Sequence, residues 1–149
     1  MELPLTETTD TAAEQAARAL YATDRGSQAL GMTLVCAGAG TATVTMTVRA
    51  DMTNGHGICH GGFIFALADS AFAFACNSHG LPTVAAGVTV DFVAPARIDD
   101  ELTATARERW LGSRTGVYDV TVTGREGQVL AFVRGRSHRL GRKPALTES

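Results

Sequence analysis

The stretch from Asn54 to Asp69, NGHGICHGGFIFALAD, constrains this chain more than any other. It opens as a glycine-rich loop (Gly55, Gly57, Gly61, Gly62) that holds His56, Cys59 and His60. It then becomes an apolar run, Phe63 to Phe74, broken by the acid Asp69. Glycines let backbone N–H groups approach a ligand closely. A helix that starts in such a loop aims its unpaired N–H groups and the positive end of its dipole at whatever occupies the loop. A carboxylate inside an otherwise apolar helix is costly unless it is paired or put to use. Together these features describe a site that stabilises developing negative charge.

Composition narrows the class. The chain has 149 residues, 45% hydrophobic and only 19% charged, which suits one folded domain rather than a disordered segment. No apolar run reaches the roughly 18 residues that a membrane helix needs. The acidic, polar N-terminus MELPLTETTDTAAEQ is unlike a secretory signal. Three cysteines without paired spacing fit a reducing compartment, so a cytoplasmic location without membrane contact is expected. The net charge of −2 carries no overall nucleic-acid footprint. The charge is uneven, with three arginines against eight acids in residues 1–96 and nine arginines and one lysine against seven acids in residues 97–149. The second half could meet an anionic ligand, or it could simply present a solvated face of strand residues.

Taken in order, residues 1–10 read as a tail. Thr11 to Thr23 reads as an alanine-rich helix closed by Gly26. Thr33 to Ala37 and Thr41 to Arg49 read as strands joined at Gly38-Ala39-Gly40. The second strand alternates cleanly, with Ala42, Val44, Met46 and Val48 on one face and threonines on the other. The long helix is expected over Gly62 to Ser78, stopped by Gly80 and Pro82. Thr83 to Val93 follows as a strand, with Val84, Ala86, Val88, Val90 and Phe92 facing one way. Glu101 to Leu111, Thr115 to Thr123 and Val129 to Leu140 complete a meander, and Gly141 to Ser149 reads as a second tail. The pattern predicts an α+β fold over residues 1–149 as a single domain. Its core runs from about 30 to 141, and residues 1–29 form an N-terminal tail and helix. One long apolar helix must be wrapped by a curved antiparallel sheet, the hotdog arrangement.

Spacing constrains the chemistry. Gly61 and Asp69 are eight residues apart, about 12 Å along a helix axis. A catalytic base must come within about 3 Å of its proton, or reach it through one water. The loop end of the helix and Asp69 of the same chain therefore cannot act on one carbonyl. If both act, two copies share each site across a two-fold axis, and a homodimer is required.

HGGFIFALAD, with Asn54 before it and AFAFACNS after it, resembles the hotdog-fold acyl-CoA thioesterases. The likeness is greatest to the bacterial phenylacetate-pathway type, which hydrolyses phenylacetyl-CoA and its hydroxylated relatives. VTVDFVAPA, TGVYDVTV and FVRGRSHRLG support it, and it spans about Leu30 to Gly141. The resemblance implies that the Gly61 N–H polarises the thioester carbonyl. It implies that Asp69 of a second copy activates water or attacks directly as a nucleophile, and both routes stay open. Asn54 would place the thioester or the water. His60 would brace the loop, its side chain hydrogen-bonding backbone. Gly62, Phe63 and Ser70 would line the substrate. Some relatives hold the water with a Ser or Thr one turn after the acid; Ala73 stands there in this chain. Coenzyme A needs cations for its phosphates, and the candidates are Arg97, Arg114, Arg134, Arg136 and Arg139. The resemblance further implies a homotetramer, no cofactor and no metal.

Other readings compete. Asp69 could be a structural acid. Cys59 and His60 are adjacent and lack an orienting third group for nucleophilic catalysis, and His56, Cys59 and His60 match no standard metal-ligand spacing. A hotdog hydratase or dehydratase would pair a His with an acid near the acyl α and β carbons. A non-catalytic acyl-CoA binding module would bind without turnover.

Overall fold

The computed structural model describes residues 8–141. Residues 1–7 and 142–149, which belong to the two expected tails, lie outside the described residues. The elements run α1 (Asp10–Thr23), α2 (Arg25–Ala29), β1 (Thr33–Gly38), β2 (Thr41–Thr47), a 3-10 turn (Ala50–Met52), α3 (Gly61–Cys76), β3 (Thr83–Phe92), β4 (Glu101–Leu111), β5 (Thr115–Thr123) and β6 (Val129–Arg139).

The strands form one sheet in the order β1-β2-β4-β5-β6-β3, with every neighbouring pair antiparallel. The alternation in β2 becomes a two-faced strand: Ala42, Val44 and Met46 are buried, and the threonines between them face outward. The buried face of β4 carries Leu102, Ala104 and Ala106, and that of β5 carries Tyr118, Val120 and Val122. α3 lies across this inner face and packs against all six strands. Its Ile64, Leu67, Ala68, Ala71, Phe72, Phe74 and Ala75 are buried there. Small residues make room for it. A methyl at Gly135 of β6 would stand 2.5 Å from the Phe72 ring carbon Cε2. Burying large apolar side chains against such gaps contributes about 1.5–3 kcal/mol each.

Several element ends differ from the sequence reading by one or two residues. α1 ends at Thr23 as expected, but Gly26 is not what closes it: Asp24 follows as its C-cap and caps a second, five-residue helix that contains Gly26. α3 starts one residue earlier, at Gly61, and ends at Cys76 rather than Ser78, where Asn77 becomes its C-cap. The side chain of Asn77 donates to the carbonyls of Ala73 and Thr83 and accepts from the Thr83 N–H, so it fastens the helix end to β3.

β3 also departs from simple alternation. A bulge between Ala85 and Gly87 shifts its register against β6. Val88 and Val90 oppose the inward Gly135 and Val133, but Val84 opposes the outward His138, so the five apolar residues do not share one face. β3 is an edge strand, and Val88 and Phe92 remain 40% and 53% exposed. The N-terminal helix docks over β1 and α3. Ala13 and Ala17 are fully buried, the Tyr21 hydroxyl donates to the Met32 carbonyl at 2.6 Å, and the Tyr21 ring meets Phe74 edge-on.

Candidate active site

The loop before α3 is built around Asn54. Its side-chain Oδ1 accepts the N–H of His56 at 2.9 Å and lies 3.4 Å from that of Ile58. Its own N–H donates to the Ile58 carbonyl, and its carbonyl accepts from Gly57, whose φ of 77° favours glycine. The side-chain oxygen is thus spent on the loop, leaving the amide NH2 as a donor. Cys59 donates its N–H to the Ala96 carbonyl, and His60 donates its N–H to that of Met52. These bonds tie both sides of the loop to neighbouring segments.

α3 then begins. His60 is its N-cap, extended at φ −57° and ψ 134°, and its carbonyl accepts from Phe63 and Ile64. The N–H groups of Gly61 and Gly62 fall in the first turn, where no helical acceptor exists. Gly61 lines a cavity of about 460 Å³ together with Asn54, Ile58, Cys59, Ile64, Phe92 and Pro95. A backbone donor at a helix N-terminus, in a cavity with apolar walls and one side-chain amide in its lining, is suited to hold a carbonyl oxygen that becomes negative.

Asp69 opens elsewhere. It lines a second cavity, of about 420 Å³, with Leu20, Asp24, Phe72, Cys76 and Asn77 among its neighbours. Burial pushes the Asp69 carboxyl above the ordinary carboxylate range, and the negative charge of Asp24 adds to the shift. A carboxylate so raised is a stronger base than an exposed one. The two halves of the expected chemistry therefore occupy two different cavities of one chain.

The sequence pattern of the Thioesterase superfamily matches residues 56–131, from this loop to the start of β6. The chain belongs to the thioesterase superfamily. It is similar to the acyl-coenzyme A thioesterase PaaI of Escherichia coli, at 50% identity over 127 residues, covering 85% of this chain and 91% of that protein. Among solved structures, that of the E. coli PaaI protein from the phenylacetic acid degradation operon matches with a TM-score of 0.88 and 48% identity, covering 89% of this chain and 96% of that one. A hypothetical thioesterase protein from Streptococcus pneumoniae, solved with coenzyme A, matches with a TM-score of 0.71 and 26% identity, over 74% of this chain and 86% of that one. The fold is the hotdog, and the protein is a thioester hydrolase.

The remaining expected residues of this thioesterase fall into three groups. At the loop, the imidazole of His60 is exposed and makes no hydrogen bond among the described residues; the residue braces the loop through its main chain instead of its side chain. Gly62 is exposed and Phe63 half-buried against the core. Cys59 is buried, its thiol is pushed up by burial, and its Sγ lies 3.5 Å from the His60 carbonyl rather than against an imidazole.

Ser70 is drawn toward α2, its hydroxyl 2.7 Å from that of Ser27. The arginines do not form one cluster. Arg97 is exposed, two residues beyond Pro95, which lines the Gly61 cavity. Arg114 lies in the β4–β5 turn, its carbonyl accepting from Arg139, and the next residue, Leu140, lines the Asp69 cavity. Arg134 and Arg136 lie on the outer sheet face, away from α3. Arg134 is held by Asp119 through two bonds of 2.7 and 2.9 Å, and Arg136 lies over Gly87.

Sequence reasoning missed Asp24, Ser27 and Asn77. An Asp followed three residues later by Ser, or an Asn just after an apolar helix, is a capping signal. Both signals were present, but a helix as short as α2 has no periodicity to support them.

Proposed function

We propose that this thioesterase hydrolyses an aryl-acetyl-CoA, phenylacetyl-CoA or its hydroxylated relatives, to the free acid and coenzyme A. Each site is shared by two copies of the chain. The observation that carries this reading is that Gly61 and Asp69 lie on one helix but line separate cavities. Similarity to E. coli PaaI supports the acyl-CoA class, and the name of its operon supports the aryl-acetyl group.

The edge of β3 supports the pairing. One side of the strand is bonded to β6, and among the described residues the other has no strand beside it. Val88 and Phe92 point toward the helix side by register yet stay exposed at this edge. A second β3 laid antiparallel across a two-fold axis would cover them and bring the Gly61 cavity of one copy to the Asp69 cavity of the other. A homotetramer of such dimers, acting in the cytoplasm in phenylacetate catabolism, completes the proposal.

In the reaction, the Gly61 N–H binds the thioester oxygen and strengthens its hold as negative charge develops. The Asn54 amide NH2 orients the thioester or the water. Asp69 takes a proton from water as the new C–O bond forms at the carbonyl carbon. The C–S bond then breaks, and the proton held by Asp69 passes to the departing thiolate. In the alternative route Asp69 forms a mixed anhydride that water later opens. Gly62 and Phe63 border the acyl group. Arg97 and Arg114, whose guanidinium groups make no ion pair among the described residues, are freer to meet phosphates than Arg134, whose guanidinium is bonded to Asp119.

The test is thiol release from a panel of aryl-acetyl, benzoyl and short and long aliphatic CoA thioesters, with wild type beside Asp69→Ala. Fast release confined to aryl-acetyl thioesters and lost in the variant is expected. Undiminished turnover in Asp69→Ala, or loss of enoyl-CoA absorbance without thiol release, overturns the reading.

A further inference from the structure

A hydrogen-bonded relay ties the residue next to Asp69 to a second carboxylate. Asp24 caps α2: its Oδ1 accepts the Ser27 N–H at 2.9 Å and its Oδ2 accepts the Ser27 hydroxyl at 2.7 Å. Ser27 Oγ lies 2.7 Å from Ser70 Oγ. The Ser27 proton is committed to an ionised carboxylate, which can only accept, so Ser70 must donate to Ser27. The relay thus has a direction, from Ser70 through Ser27 to Asp24. Ser27 is 4% exposed and bonded on both sides.

Asp24 has a second relation to the site. It lines the same cavity as Asp69, and its charge is the second cause, after burial, of the raised Asp69 carboxyl. Capping alone does not need that charge, since Asn or Ser caps a helix about as well as Asp. The other groups around this cavity are Leu20 from α1, Phe72, Ala73 and the Cys76 thiol from α3, Asn77 at its end, and the start of β3. Asp24 is the charged group facing Asp69 among the described residues. The loop of a second copy would add His56 and His60.

We propose that Asp24 is a positioning residue for the hydrolysis, holding the Asp69 segment of α3 through Ser27 and Ser70 and presenting its charge to Asp69 across the shared cavity. This rests on the reading of Asp69 as the carboxylate that acts on water or thioester. Two like charges in one partly buried cavity disfavour each other's ionised form. Asp24 thereby makes Asp69 a better proton acceptor, and the relay fixes the helix turn from which it acts.

The experiment is the pH profile of kcat/KM for thiol release from phenylacetyl-CoA by the full chain, comparing wild type, Asp24→Asn, Asp24→Glu and Asp69→Ala. Asp24→Asn can keep the Oδ1 cap on the Ser27 N–H, but it removes the charge and puts an NH2 donor where Oδ2 accepted the Ser27 hydroxyl. Its acid limb is expected to move to lower pH, with kcat on the plateau falling several-fold and KM little changed. Asp24→Glu keeps the charge and returns the limb toward that of wild type. Should Asp24→Asn turn over too slowly for a profile, carbon-13 NMR titration of the Asp69 carboxyl reads the same downward shift without substrate. An acid limb and an Asp69 titration that stay where wild type has them in Asp24→Asn, with Asp69→Ala inactive, overturn this proposal alone. Full turnover in Asp69→Ala overturns the role of Asp69 and this proposal with it.

Discussion

Gly61 and Asp69 stand on the same helix, two turns apart, and open into different cavities. The separation follows from the rise of an α-helix, about 12 Å over eight residues. The sheet then walls the two ends apart: Phe92 and Pro95 border Gly61, while Pro82, Thr83 and Val84 border Asp69. Under the proposed chemistry, a single copy would hold an oxyanion donor without its base and a base without its donor.

Replacing the acid separates activity from stability. Asp69→Asn is expected to lower kcat/KM by about 10²–10⁴, the range for a general base. In wild type, kcat/KM is expected to fall as pH drops through the raised Asp69 value, since the proposed chemistry uses the ionised form. Stability runs the other way. A carboxyl raised above its unfolded value of about 3.9 favours folding fully below that value, and the contribution is lost as pH rises through the folded value. Asparagine does not ionise. The thermal midpoint of Asp69→Asn should therefore gain on wild type from about pH 4 upward. A gap that is the same at pH 3 and pH 8 contradicts this.

The core beneath the helix is tested at Gly135. In Gly135→Ala the new methyl meets the ring of Phe72, itself buried and packed on Tyr118. Overpacking of this kind costs about 1–3 kcal/mol. In a chain of this length each kcal/mol lowers the midpoint by about 2–4 °C. A melting curve superimposable on wild type would show that Phe72 moves freely, contrary to the packing described.

Thiol reactivity should divide the three cysteines. Cys36 is exposed on β1, Cys59 is buried, and burial pushes the Cys76 thiol up to about 12. A disulfide reagent at pH 8 is expected to modify Cys36 quickly and the other two only at the rate of unfolding. Fast reaction of two or three thiols in the folded protein contradicts the burial.

The exposed edge of β3 gives a test of assembly. Val88→Lys puts a charge on the apolar edge, and a two-fold interface counts it twice. Like charges brought together cost several kcal/mol, so sedimentation should show a population shifted to monomer. Thiol release should fall in proportion to the dimer lost. Full activity from a monomeric variant would sink the shared site.

Much of this was legible because apolar side chains report their own burial. Ala42, Val44 and Met46 alternate in the sequence and alternate in β2, and the run from Phe63 to Phe74 could only be a covered helix. Register was not legible. The bulge at Ala85–Gly87 turns Val84 away from Val88, and no alternation count reveals an extra residue. The pairing of Arg134 with Asp119 also arises from β5–β6 register, so one of the arginines read as phosphate candidates has a guanidinium already bonded. The relay from Asp24 was hidden because Ser27 and Ser70 are far apart in sequence and meet only through tertiary packing.

The shared site is tested most directly by complementation. Asp69→Ala and Gly61→Pro, which alters the loop donor, are each expected to be inactive alone. Co-expressed with different tags and purified through both, a mixed dimer carries one intact site, with Gly61 from one chain and Asp69 from the other. Purified mixed dimers should show about half of wild-type thiol release. Mixed dimers as inactive as either parent would contradict a site built from two chains.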